Sequence, residues 1–174
     1  MSGPASSSAA LPIAYVVLRI LIVVNWIAGA ALVLVVVIPN REWIMSALDV
    51  FPGPDAERVV MGLRAIAVIA LAMNPLNYVV LKRLLAIVET VRAGDPFVAA
   101  NASHLQSIAW ALLALQLLSM VIGAIVKSIS TPEHPIDIDA GFSTNGWLAV
   151  LLTFLLARVF AEGTLMREDL AGTV

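Results

Sequence analysis

The segment Glu133-His134-Pro135-Ile136-Asp137-Ile138-Asp139 holds three carboxylates and an imidazole within seven residues. Oxygen and imidazole donors at that density are raw material for a divalent cation. Their spacing matches no ligand signature, so a solvated acidic loop is the expected state. His104 and His134 are the only histidines, and cysteine is absent. That absence removes disulfides, thiolate metal sites and a cysteine nucleophile. No P-loop, GxSxG, HExxH or GxGxxG string occurs. These residues nominate no catalytic group, metal site or cofactor, and a non-enzymatic protein is expected.

A second set of polar side chains lies inside apolar runs: Asn25, Asn74, Asn77, Gln116 and Thr153. Asn25 and the pair Asn74 and Asn77 fall at comparable depth, so an amide hydrogen bond between helices is expected there. Such residues act as polar glue in a bundle, or they line a path for a small solute. No acid, lysine or histidine lies mid-membrane, so a proton-coupled carrier has no proton site. Pro75 removes a donor to the Leu71 carbonyl and predicts a kink. Small residues at helical spacing predict close helix packing, in the stripe Ala149, Thr153 and Ala157 and the pair Ser119 and Gly123.

The elements that position these residues follow from composition. Apolar residues make up 61% of 174 and charged residues 13%, against roughly 45–50% and about 25% in soluble domains. Uncharged runs cover 20–38, 65–81 and 105–126, and a fourth run, 145–161, carries Arg158 near its end. They are continuous, without the alternation of barrel strands, and a helix is then the form that satisfies its own backbone in lipid. The reading is an all-α integral membrane four-helix bundle in one domain, with spans at about 13–38, 60–81, 105–126 and 145–161. The N-terminus, 1–10, is read as a short flexible tail. It lacks the basic region of a secretory signal, so the first span is expected to be retained. A net charge of −2 leaves no footprint for nucleic acid.

Six basic residues, Arg19, Lys82, Arg83, Arg92, Arg158 and Arg167, fall on one side, and four, Arg41, Arg58, Arg64 and Lys127, on the other. Basic residues favour the cytoplasm, which predicts both termini inside. Trp43 and Trp147 sit at the outer boundary, as an aromatic belt requires. The two histidines then lie on opposite sides, which excludes a bis-histidine haem. Outside, Trp43, Ile44, Ala47 and Leu48 predict a short interfacial helix ended by Pro52, Gly53 and Pro54. Inside, the second helix continues to about Val91 and Gly94 stops it. Asp95 then caps the third helix, with Pro96 at its first position.

Two segments carry a resemblance: VRAGDPFVAANASHL at 91–105 and RVFAEGTLMREDLAGTV at 158–174. They resemble the bacterial four-helix membrane proteins of domain-of-unknown-function family 2975. The matching positions are Gly94, Pro96, Phe97, Asn101 and Leu105, then Phe160, Gly163, Leu165, Glu168, Asp169, Thr173 and Val174. Ala100 stands where the family often has an acid, and Ser103 and His104 where a basic residue is usual.

The resemblance implies a bacterial inner-membrane protein without assigned catalysis. Such proteins are often encoded beside a small helix-turn-helix regulator, which implies a cytoplasmic transcription regulator as partner. The candidate interaction motif is Gly94, Asp95, Pro96, Phe97, Asn101, Arg158, Phe160, Glu162, Gly163, Glu168 and Asp169. The same residues also read as local architecture: a helix stop and restart, Phe97 as an interfacial anchor and Arg158 with Glu162 as an i, i+4 pair. Glu162 with Arg92 or Arg167 would then tie the tail to the loop. A nearly neutral inner side points to contact with a regulator rather than with DNA. The alternative is a small-solute channel or carrier.

Overall fold

The computed structural model describes residues 10–37, 56–130 and 139–171, with side chains at 10–37, 57–130 and 139–167. Four helices account for nearly all of it: α1 Ala10–Val37, α2 Ala56–Arg92, α3 Ala99–Ile129 and α4 Thr144–Ala171. All four are long and apolar enough to cross a membrane. At 1.5 Å per residue, the 37 residues of α2 extend about 55 Å, well beyond a hydrocarbon core of about 30 Å. The expected interfacial helix with Trp43, and the segment containing Glu133 and His134, lie outside the described residues.

Among the described residues, α1 packs on α2, α2 on α3 and α3 on α4, with no other helix pair in contact. The bundle is therefore an open row in chain order. α3 is its keel and buries Asn101, Ile108, Ala109, Ala111, Gln116, Ile122, Gly123, Val126 and Ile129. α1 buries Gly29 alone. Val16, Ile20 and Val23 on α1, like Leu151 and Leu155 on α4, stay exposed. A helix apolar around its circumference suits a lipid surround.

Lipid supplies no hydrophobic drive for one apolar helix to leave it for another, so small residues and polar contacts decide which helices pair. The α1–α2 seam shows this. Asn25 Nδ2 donates to Asn74 Oδ1 at 3.3 Å and to the Asn74 carbonyl at 3.4 Å, while Asn74 Nδ2 donates to the Asn25 carbonyl at 2.9 Å. One turn along α1, Gly29 leaves room for that amide: a Cβ there would lie 2.8 Å from Asn74 Oδ1. Trp26 packs on Tyr78 with ring centroids 5.5 Å apart. Asn74 directly precedes Pro75, which lies inside α2.

The α3–α4 seam carries Trp110 edge-on to Phe154 at 5.2 Å. At the end remote from the 93–98 loop, the expected helix packing at Ser119 and Gly123 takes another form. Gly141 N–H donates to Ser119 Oγ at 3.2 Å, and Gln116 Nε2 donates to the Gly141 carbonyl at 3.4 Å. A Cβ on Gly123 would lie 2.6 Å from Gly141 Cα. These small residues receive the backbone leading into α4, because an irregular segment needs donors and acceptors that an apolar helix surface does not offer.

Gly29→Ala places a methyl against the Asn74 amide, and Asn74→Ala removes the reciprocal pair, at a cost of roughly 0.6–2 kcal/mol. Asn74→Ala also clears the space that the new methyl needs. The double variant should therefore lose less stability than the sum of the two singles. Thermal unfolding of the four proteins in one detergent measures that non-additivity.

Candidate functional site

The candidate interaction motif is built on the end of α2. Asp95 N–H donates to the Thr90 carbonyl at 3.1 Å and Gly94 N–H to the Val91 carbonyl at 3.1 Å. This pair of bonds is a Schellman stop, in which the residue at Gly94 must turn left-handed. Its φ is +87°, a conformation that side-chain-bearing residues rarely adopt. The helix stop falls where the sequence places it.

The restart differs. α3 begins at Ala99 after Val98, which occupies the N-cap position without a side-chain cap. Asp95 is therefore not the cap, and Pro96 is not the first helical residue. Asp95 is already committed to closing α2 through its N–H. Its carboxylate turns the other way, into an ion pair with Arg167 of α4.

Asn101 fixes the loop from inside α3, as a donor. It is fully buried. Its Nδ2 donates to the Pro96 carbonyl at 2.8 Å and to Thr90 Oγ1 at 2.7 Å. Thr90 Oγ1 in turn donates to the Ile87 carbonyl at 2.8 Å. One amide thus joins the last turn of α2, the loop and the first turn of α3. Asn101 Oδ1 is buried without a protein partner.

The loop meets α4 through an aromatic and a charge. Phe97 stacks on Phe160 with centroids 5.4 Å apart and planes at 29°. Gly163 lies beneath the Phe97 ring, where a Cβ would stand 3.5 Å from Cδ1. Arg167 Nη1 also donates to the Phe97 carbonyl at 3.4 Å. Phe97 remains 46% exposed, so a ring fixed from below still presents a face outward.

Gly94, Asp95, Pro96, Phe97 and Asn101 are thus gathered with Phe160, Gly163 and Arg167. Arg158 and Glu162 pair with each other at 3.1 Å and stay exposed. Glu162 ties to neither Arg92 nor Arg167, since Arg92 lies 4.7 Å from the Tyr15 ring and Arg167 takes Asp95. The side chains of Glu168 and Asp169 lie outside the described ones.

Beside this knot, α3 and α4 part to leave an open groove of about 560 Å³, lined in part by Ala102, Ser103, Gln106, Ala157, Arg158 and Ala161. Sequence reasoning missed Thr90, Ser103 and Gln106. A hydroxyl in the last turn of a helix commonly bonds its own i−3 carbonyl, so Thr90 gave no sign of a second partner.

The intramembrane polar residues do not converge. Asn25 and Asn74 meet each other, but Asn77 donates to the Met73 carbonyl of its own helix at 3.2 Å. Thr153 donates to the Ala149 carbonyl at 2.7 Å, and Gln116 serves Gly141. Apart from Asn25 and Asn74, none of the five hydrogen-bonds to another among the described residues.

A multi-pass helical membrane protein whose loop and last helix form one surface is the class these features define. Residues 43–174 match the family described as Protein of unknown function (DUF2975), and the chain belongs to that family. α1 precedes the matched segment. No curated protein and no solved structure matches the chain.

Asn101→Leu strips the Pro96 carbonyl and the Thr90 hydroxyl of their donor inside the protein, and should cost about 2–3 kcal/mol. Arg167→Gln breaks an ion pair whose side chains are 57% and 43% exposed, and should cost less than about 1 kcal/mol. Unfolding followed by circular dichroism ranks the two. The reverse order would place the hold on the loop in the ion pair.

Proposed function

We propose that this protein is a regulatory or sensory partner of a cytoplasmic transcription regulator of the helix-turn-helix type, with no catalysis of its own. Both termini lie in the cytoplasm of a bacterial inner membrane, in keeping with the six-to-four excess of basic residues at the loop end. The observation that carries the reading is the joining of two motifs some 60 residues apart in sequence. Phe97 on Phe160 and Asp95 with Arg167 make one surface of the loop and the last helix. A buried amide holds it from beneath.

Such a surface suits protein contact. It offers a fixed aromatic face with charges around it, the composition of an interface anchor with a polar rim. The neighbouring groove is lined by Ala102, Ala157 and Ala161 together with Ser103, Gln106 and Arg158, so an apolar side chain of a partner has a place to enter. The apolar row of helices holds this surface at the membrane. A change in how the helices pack alters the spacing of Phe97, Phe160 and Arg167, and that spacing is the signal passed on.

The test is purification of the tagged protein in detergent with the helix-turn-helix protein encoded beside it. The wild type should retain the regulator. Phe97→Ala combined with removal of residues 167–174 should lose it, while Thr153→Ala, on the membrane part of α4, should not. No complex with the wild type, or an unchanged complex with the altered protein, overturns the reading.

A further inference from the structure

The basic residues at the loop end divide into two kinds. Arg158 pairs with Glu162 and Arg167 with Asp95. Arg83 donates to the His104 ring at 3.2 Å. Arg19 and Arg92 differ: each guanidinium lies over the same ring, Tyr15, at 4.8 and 4.7 Å from its centroid. Two guanidinium carbons so placed are less than about 10 Å apart. Among the described residues no carboxylate pairs with either. Glu89, one turn before Arg92, forms no ion pair.

The usual reasons for such an arrangement do not cover it. A basic residue in the last turn of a helix can answer the free carbonyls there, but at the end of α2 the Thr90 and Val91 carbonyls already accept from Asp95 and Gly94. Arg19 is not a terminal residue. It lies nine positions into α1, between the exposed apolar residues Val16 and Ile20. An arginine on a lipid-facing helix reaches its charge toward the headgroup layer. Here a second arginine, from the next helix, is brought to the same place. An aromatic ring stacks with both cations but does not neutralise them.

We infer that Arg19, Arg92 and Tyr15 form a binding site for the phosphodiester headgroup of an anionic phospholipid, where α1 meets the end of α2. The phosphate accepts from both guanidinium forks, for which its geometry is matched. The exposed apolar flank of α1 receives the acyl chains. Lys82, on the same helix as Arg92 and 5.7 Å from the Tyr78 ring, adds positive charge along that flank. The lipid thereby closes the α1–α2 seam at its loop end, through Arg19 and Arg92, neither of which takes part in the contacts of the loop with α4, so the fate of either assignment leaves the other standing.

The test uses the full-length protein in vesicles of phosphatidylcholine and phosphatidylglycerol in equal parts, re-extracted into detergent, with retained lipid quantified by mass spectrometry. Phosphatidylglycerol should be enriched about thirtyfold, the order expected when two arginines contact an anionic headgroup. Arg19→Gln with Arg92→Gln should retain the two lipids in the feed ratio. Lys127→Gln, at the opposite end of α3, should keep the enrichment. If the double variant loses its helical circular dichroism signal, the single variants supply the measurement, each with a reduced enrichment. Equal retention of both lipids by the wild type, or undiminished enrichment in the variants, overturns the site. Displacement of the lipid by inorganic phosphate alone would assign the arginines to a soluble anion and overturn it as well.

Discussion

One buried amide sets the geometry of the loop end. Asn101 belongs to α3, yet both of its donated hydrogen bonds leave that helix, one to the hydroxyl of Thr90 on α2 and one to the Pro96 carbonyl in the loop. A buried polar group with partners rigidifies its surroundings, because every alternative arrangement leaves a donor or acceptor without water and without a substitute. The direction in which the chain leaves α2 is therefore determined, and with it the position of Phe97. From Phe97 follow the stack on Phe160, the closeness of Gly163 and the reach of Arg167.

The same economy governs the rest of the molecule. Each seam between helices is marked by a few polar or small residues among many apolar ones that lipid serves equally well. Asn25 and Asn74 set α1 against α2. Gln116, Ser119 and Gly123 seat the backbone that leads into α4. This explains why the helices stand in an open row. With lipid as apolar as the side chains, there is no penalty for leaving outer faces uncovered, and α1 touches α2 alone among the described helices.

The polar residues within the spans are used in packing. Asn77 and Thr153 bond to the backbone of their own helices, Asn25 and Asn74 join α1 to α2, and Gln116 holds the segment that leads into α4. Among the described residues, features with freedom to act on something outside the protein are concentrated at the loop end: the half-exposed Phe97 ring, the groove beside Arg158, and the two arginines on Tyr15.

Some of this was legible from the residues alone. Four apolar runs of membrane-spanning length admit little but helices, because lipid offers no partner for an open backbone. Gly94 marked the end of α2 because its backbone turn is written in one residue type, and comparable depth pointed Asn25 to Asn74 or Asn77, of which the structure pairs Asn74. Two short motifs carried a resemblance to a family, and the match over residues 43–174 shows the membership. What only the tertiary structure decided was partnership. Asp95 faced a choice between capping α3 and pairing with Arg167, and Glu162 among three arginines. Local propensity cannot rank such choices, because the competing partner lies about 70 residues away. Thr90 as the second acceptor of Asn101, and Tyr15 as the meeting point of Arg19 and Arg92, became visible only when antiparallel helices brought distant turns to one level.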